Sequence, residues 1–455
     1  MHSDKGKKVP ATKLARLSKL GQLVTQVTGN VALEGMKQLS QGEKPKLSNL
    51  IMHPNNIKNV ADKLAQMRGA AMKLGQLISM DAGDLIPKEL SALLSQLRSN
   101  ARPMPNKQLL QTLKENWGDN WLDNFSHFEL SPFASASIGQ VHLAYDVRGT
   151  KLAIKIQYPG VRQSIDADVD NVAKVIKLSG LLPKHIELDS LLQDVKTQLK
   201  IESDYLQESK YLSRYAELLK DDGNFIIPNL YPEHITQNIL PMTFVDGVEI
   251  DKALAEPQEA RNRMVRLLIE LFFKELFSFK LMQTDPNFAN YLYQSNSQKV
   301  VLLDFGATRE ISNDISEGYL ALINAACEKD TDKIRRAAMK IGFFKQDIEE
   351  DYFEQIATIF SLATEPLQYD GVYDFSTSSL AQRIQHAGQS INNRKDQWHT
   401  PPVDALFIHR KLAGLYLLAA KLEAKVNVAE LFKPYLSTNE DKSFLVKQSS
   451  VKEFR

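Results

Sequence analysis

Three side chains in this 455-residue sequence have the types and spacing for phosphate chemistry: Asp285, Asn290 five positions later, and Asp304 at the end of the apolar run Val300-Val-Leu-Leu303. Carboxylate and amide oxygens are hard donors that hold magnesium against phosphate oxygens, and a further carboxylate can orient an attacking hydroxyl or water. The stretch Asp285-Pro-Asn-Phe-Ala-Asn290 followed by Asp304-Phe305-Gly306 supplies all of these parts. Asp-Phe-Gly alone occurs by chance and Asp-Pro alone often starts a turn; their order, with an apolar strand between, is what is specific.

That order and spacing match the catalytic loop and metal-binding turn of protein kinases. Asp285 is then the catalytic carboxylate, and Asn290 and Asp304 are the metal ligands. Upstream, Leu152-Ala-Ile-Lys155-Ile places a lysine inside an apolar strand. A buried ammonium needs a partner, and in kinases a helical glutamate orients the lysine that touches the phosphates. Glu202, within the helical stretch 191–219, is the expected partner. Taken alone, this strand would read as an edge strand with Lys155 in solvent; the downstream pair decides otherwise. Ala134-Ser135-Ala136-Ser137-Ile138-Gly139 stands where a kinase has its glycine-rich loop. With only Gly139, that loop is less able to adopt positive φ. Backbone near Phe244 and Val245 is the expected adenine contact.

These residues need a small β-rich unit and a larger helical one. Short β-like runs are expected at 128–130, 139–145 and 151–157, with a turn at Gly149, and a further run at 237–245 ends in the turn Asp246-Gly247. Residues 165–220 read as helices interrupted near Gly180 to Pro183, and the chain after 247 is mostly helical to Leu436, apart from a strand pair around 291–293 and 299–303. No proline interrupts 56–86, where Leu64, Met67, Ala71, Leu74 and Ile78 form a helical stripe carrying Lys73 and Gln76. The expected divisions are 1–50 (basic, amphipathic), 51–127 (helical extension), 128–247 (N-lobe), 248–440 (helical C-lobe) and 441–455 (polar tail).

Composition narrows the function classes. Hydrophobic residues make up 43% and charged residues 24%, as in ordinary globular proteins. A net charge of +1 gives no global field for nucleic acid. The single cysteine, Cys327, excludes an intramolecular disulfide and a cysteine-based zinc site. No apolar run reaches the roughly 20 residues of a spanning helix. Residues 1–20 carry six basic side chains against Asp4 and lead into an amphipathic stretch with Leu17, Leu20, Val24, Val27 and Val31. Two arrangements fit it equally: a helix lying on an anionic membrane surface, or a basic tail with a helix docked on its own protein.

Taken together, Lys73-Leu-Gly75-Gln76, the alanine-rich loop, Ile154-Lys155-Ile-Gln-Tyr-Pro-Gly160, Glu202-Ser-Asp204-Tyr, Gln283-Thr-Asp285-Pro-Asn-Phe-Ala-Asn290 and Asp304-Phe-Gly306 resemble the UbiB-like atypical kinase family over about residues 60–435. The Lys-x-Gly-Gln element is the most specific of these. The Ser-Ile-Gly-Gln-Val-His-Leu-Ala stretch and the Gln-Thr-Asp-Pro-Asn loop are most similar to the mitochondrial ubiquinone-biosynthesis branch and its bacterial relatives.

The resemblance implies an α+β, protein-kinase-like bilobed fold with a helical N-terminal extension packed over the active site. Lys73, Gly75 and Gln76 would face Glu202 and Asp204 and occlude the place of a protein substrate, with Glu202 orienting Lys155 or Lys73. The implied cofactors are ATP and Mg2+. The implied chemistry is ATP hydrolysis, or phosphorylation of a small or lipid-like molecule, in support of isoprenoid quinone synthesis at a membrane. Anionic or isoprenoid lipid and quinone-biosynthesis enzymes are the expected partners. The expected location is peripheral, on the cytoplasmic face of a bacterial membrane or the matrix side of the mitochondrial inner membrane. The sequence departs from related members at Ser135, and after Gly306 it has no Ala-Pro-Glu segment or activation loop, because Asn313 onward becomes helical. The alternatives are a conventional protein kinase and a nucleotide-gated scaffold of a biosynthetic complex.

Overall fold

The computed structural model describes residues 103–136, 138–179, 188–285, 287–344, 348–392 and 402–436. The segments 1–50 and 441–455, Lys73, Gly75, Gln76 and Ser137 lie outside the described residues. The described chain falls into two units. One holds the chain to Asp221, Ile227–Asp246 and Leu303–Ala307; the other holds Asp222–Ile226, Gly247–Leu302 and the chain from Thr308.

The first unit opens with helix α1 (Asn106–Trp117), which starts after Pro105 and stops at Gly118, whose φ is +85°. Strands β1 (Phe125–Phe128), β2 (Ala134–Ser135), β3 (Gly139–Asp146) and β4 (Lys151–Gln157) follow, then helices α2 (Val161–Ser179), α3 (Leu188–Glu202) and α4 (Tyr205–Leu218). After β5 (Phe225–Ile226), which belongs to the second unit, the chain returns through β6 (Ile239–Thr243). The antiparallel sheet runs β1-β3-β4-β6, with β2 also on β3. Along β4 the pleat alternates: Leu152, Ile154 and Ile156 are fully buried on one face, and Lys155 and Gln157 are buried on the other. Strand β1 begins three residues before the expected 128–130 run. Phe125 and Phe128 pack against Trp121, with ring centroids 6.3 and 5.1 Å away, and this aromatic cluster draws the earlier residues into the sheet.

The second unit contains β7 (Val248–Glu249), α5 (Gln258–Phe273), a π-helical turn at Lys274–Phe279, β8 (Leu281–Gln283), β9 (Tyr291–Gln294), β10 (Lys299–Leu302) and β11 (Thr308–Glu310). Helix α5 is central: Met264, Val265, Leu267, Leu268, Ile269, Leu271, Phe272 and Phe273 are all buried, covering more than one face. One sheet runs β5-β10-β9-β7, and β8 pairs separately with β11. The helices α6 (Asn313–Cys327), α7 (Thr331–Ile341), α8 (Glu350–Ala363), α9 (Glu365–Gln368), α10 (Leu380–Asn392), α11 (Val403–Lys421) and α12 (Val428–Phe432) complete it, with the pair β12 (Tyr373–Asp374) and β13 (Lys425–Val426). Ser312 and Asp330 cap α6 and α7 with side-chain oxygens, as Ser and Asp do before a helical run. Among the described residues no helix is long and apolar enough to cross a membrane.

Two expectations follow for stability. Gly139 does not take a positive φ; its value is close approach, because a Cβ there would sit 2.4 Å from the Ile156 carbonyl oxygen and 3.0 Å from the Tyr205 hydroxyl. Gly139→Ala should therefore cost about 3 kcal/mol in chemical denaturation, whereas Gly223→Ala, which meets nothing within 4 Å, should be near neutral. The second expectation concerns His142, fully buried on β3. Met104 N–H donates to Gln140 Oε1, so the Gln140 amide turns its Nε2 to His142 Nε2 at 2.7 Å, while His142 Nδ1 donates to the Glu129 carbonyl at 2.8 Å. Burial lowers the imidazole to about 4 despite the Glu129 bond. Its stabilising contribution is present above the unfolded value of 6.5 and is lost as pH falls towards 4. Urea titrations between pH 7 and 4 should show on the order of 3 kcal/mol lost from this group, and His142→Leu should remove that part of the slope while lowering stability at pH 7.

Candidate functional site

The first unit gathers its chemistry around one lysine. Strand β4 delivers Lys155, 8% exposed, and its Nζ donates to both carboxylate oxygens of Glu208 at 2.7 and 3.0 Å and to Asp304 Oδ2 at 3.1 Å. Its ammonium also stands 5.1 Å from the centre of the Tyr205 ring. Burial works against this charge, but Asp304 and Glu208 outweigh it and hold Lys155 well above the ordinary lysine range. Among the described residues, one ammonium faces two carboxyl groups here. Burial pushes Glu208 up to about 8; Lys155 pulls it down and Asp304 adds to the rise.

The glutamate that meets Lys155 is Glu208, not Glu202. The expected helix 191–219 is two helices. Glu202 is the last residue of α3, buried at 7% exposure, and the chain breaks at Ser203-Asp204 before α4. Asp204 is the N-cap: its side chain accepts the Gln207 N–H at 3.3 Å, which ends one helix and starts the next. The break turns the first α4 turn, with Glu208, towards β4. A sequence signal for it existed in Asp204-x-x-Gln207, a capping-box pattern inside an otherwise helical run. Asp204 also lies 3.5 Å from Arg162 on α2. The pairing of Glu202 with Lys73 falls outside the described residues.

Helix α4 also fixes Asp304. Tyr215 packs on Phe305 with centroids 4.7 Å apart, and Phe305 is 1% exposed. The Gly306 N–H donates to Asp304 Oδ1 at 2.9 Å. A Cβ on Gly306 would stand 3.2 Å from both Asp304 Oδ1 and Glu208 Oε2, which explains the glycine. The alanine-rich loop is a tight hairpin: Ala134 and Ser135 pair with Val141 and Gln140, and Ala136 N–H donates to the Gly139 carbonyl at 3.0 Å. The Ala136 amide is therefore spent inside the turn. At the end of β6, Phe244 N–H donates to the Lys151 carbonyl at 2.9 Å and its ring lies under the Lys151 ammonium at 3.9 Å; Val245 follows, half-buried.

The second unit carries Asp285 and Asn290. Asn290 Nδ2 donates to Asp285 Oδ2 at 3.3 Å, and Asn287 N–H donates to Asp285 Oδ1 at 3.3 Å. Asn287 caps the short turn Phe288–Asn290. Strand β8 leads into this loop, with Gln283 opposite Thr308 on β11. Asp285 and Asn290 thus face each other across one turn, as their five-residue spacing requires.

Residues 96–338 match the family model described as ABC1 atypical kinase-like domain. The chain is 36% identical over 436 residues to the atypical kinase COQ8, mitochondrial, of Saccharomyces cerevisiae, covering 94% of this chain and 86% of that one. It is 34% identical to the atypical kinase COQ8B, mitochondrial, of Rattus norvegicus, over 94% and 81% of the two chains. Among solved structures, the Rv3197–erythromycin complex from Mycobacterium tuberculosis superposes with a TM-score of 0.60 at 24% identity, covering 82% of this chain and 93% of that one, and so shares its fold. With a lysine on the third main strand of a β-rich unit, a helical glutamate paired to it, and an Asp-Phe-Gly turn beside both, this chain has a kinase-like fold and belongs to the ABC1 atypical kinase-like family of the UbiB/COQ8 type.

Proposed function

We propose that this chain binds ATP with magnesium and passes the γ-phosphoryl group to water or to a small, lipid-like acceptor, in support of isoprenoid quinone synthesis at a membrane surface. The observation that carries this reading is the buried Lys155 ammonium held between Glu208 and Asp304. A side chain kept charged, nearly dry and fixed by two carboxylates is pre-set to receive phosphate oxygens without reorganising.

The donor set fits a magnesium-bound nucleotide. Asp304 is one-third exposed; its Oδ1 accepts from Gly306 N–H and its Oδ2 from Lys155. A carboxylate has further lone pairs for a cation. Magnesium, when bound, would supply positive charge against the phosphates and neutralise charge developing in transfer. Asp304 would hold it, and Asn290, whose Nδ2 is spent on Asp285, would offer its Oδ1. Asp285 would orient the attacking oxygen. Glu208 keeps Lys155 in place. Ala134, Ser135, Ser137 and Gly139 line the phosphate loop in this reading, and Phe244 and Val245 border the adenine. Because the Phe244 N–H is already used by Lys151, its carbonyl and the Val245 amide are the backbone groups for a purine edge.

A non-protein acceptor is favoured over conventional protein phosphorylation by the chain after the Asp-Phe-Gly turn. Residues 308–310 are taken up in β11, and α6 starts at Asn313, seven positions after Gly306. That stretch is too short to lay a platform for a peptide. Lys73, Gly75 and Gln76, with Glu202 and Asp204, would close over the site as the family resemblance implies. The quinone role rests on likeness to the COQ8 relatives, and peripheral attachment on the basic N-terminal segment, with anionic or isoprenoid lipid as the partner surface. A passive nucleotide-gated scaffold would have little use for a complete set of Lys155, Asp285, Asn290 and Asp304.

Magnesium-dependent ATP turnover, measured with and without anionic vesicles, should fall by about 10²-fold or more in Asp304→Asn and in Asp285→Asn; turnover equal to wild type in both would refute the assignment. In cells lacking the protein, quinone content should be restored by wild type and not by Asp304→Asn.

A further inference from the structure

The second unit buries an ion pair that the phosphate chemistry does not use. Lys411 lies on the inner face of α11, in helical register with Phe407, Ile408, Gly414 and Leu415, where an aliphatic side chain would be expected. It is 4% exposed, and Glu275, in the π-helical turn after α5, is fully buried. Lys411 Nζ donates to Glu275 Oε2 and, at 2.7 Å, to the main-chain carbonyl of Gln283. Glu275 Oε1 in turn accepts the Gln283 N–H at 3.3 Å. The Gln283 side chain is also held: its Oε1 accepts from the Tyr291 hydroxyl at 3.0 Å.

Gln283 stands two residues before Asp285, and Tyr291 directly follows Asn290. The amide and carbonyl at the entrance of the loop are therefore gripped by charges from two separate helical segments, and its entrance is tied to its exit by Tyr291. Stability alone is a weak reason for such a pair. Two buried charges seldom gain more than well-packed apolar side chains of the same volume would, whereas a charge-assisted grip on a main-chain carbonyl has a direction that packing lacks.

Resting on the phosphoryl-transfer reading, we propose that Lys411 and Glu275 are positioning residues that set the angle of the 284–290 loop, and with it the Asp285 carboxylate, through the backbone of Gln283. They touch neither nucleotide nor acceptor. Their removal should lower kcat more than it raises KM for ATP, because Lys155 and Asp304 would still bind the nucleotide while Asn290, at the end of the loop, contributes to holding magnesium. Burial lowers the Lys411 ammonium below the ordinary lysine range while Glu275 opposes that.

The test uses the full-length chain with Lys411→Met and Glu275→Leu combined, so that neither charge is left buried alone, and with Tyr291→Phe as a milder variant that keeps the packing. Thermal unfolding, steady-state ATP turnover with magnesium and hydrogen exchange of residues 284–290 are measured for each. Expected are a cooperative transition, a fall in kcat of about 10- to 100-fold in the double variant, faster exchange confined to the loop in both variants, and partial recovery with Lys411→Arg. Wild-type kcat and wild-type loop exchange in a folded double variant would overturn the proposal. So would unchanged loop exchange in Tyr291→Phe if the double variant does not fold. Absence of turnover in the wild-type protein would instead refute the phosphoryl-transfer reading, and loop exchange would still decide whether the clamp exists.

Discussion

A lysine ammonium held dry between two carboxylates is the constraint on which the first unit is built. Charge of this kind is tolerated in an interior only when its partners are fixed in place, since removing one leaves an uncompensated ion. Much of the surrounding structure reads as fixing. The pleat of β4 points Lys155 away from Leu152, Ile154 and Ile156, so the strand that fills the core also presents the charge. Gly139 lets the loop strand close on Ile156 without a side chain in the way. Gly306 leaves room for Asp304 and Glu208 to stand side by side.

Helix α4 connects these parts. One short helix brings Glu208 to the lysine, Tyr205 beneath the ammonium and Tyr215 against Phe305, and so holds both ends of the Lys155 to Asp304 contact. Its start is set by one side chain, Asp204, through a cap worth about 1 kcal/mol in ordinary helices. The same residue belongs to the Glu-x-Asp element that marks the family by sequence. Within this unit it has a visible local task, separate from any role in covering the site.

The legibility of the molecule from its sequence follows the range of the forces involved. Strand β4 was readable to the residue because alternation and a lone lysine are local signals. The places of Asp304 at the end of its strand and of Asp285 opposite Asn290 across one turn were readable because fixed spacing sets them. Glu208 was not, because Glu202 and Glu208 lie six positions apart in what reads as continuous helix, and only the cap at Asp204 separates them. The start of β1 was set by contacts with Trp121, outside any strand pattern. Lys411 gave no signal at all, since its partner Glu275 is far away in sequence and the helix around it reads as plain core.

The account stands or falls on whether the Lys155–Glu208 contact serves nucleotide binding. Calorimetric titration of ATP, with and without magnesium, into wild type and Glu208→Gln addresses it directly. The account predicts magnesium-dependent binding in the wild type and a loss of about tenfold or more in affinity for the variant, equivalent to ~1.4 kcal/mol. Wild-type affinity in a folded Glu208→Gln protein would contradict it.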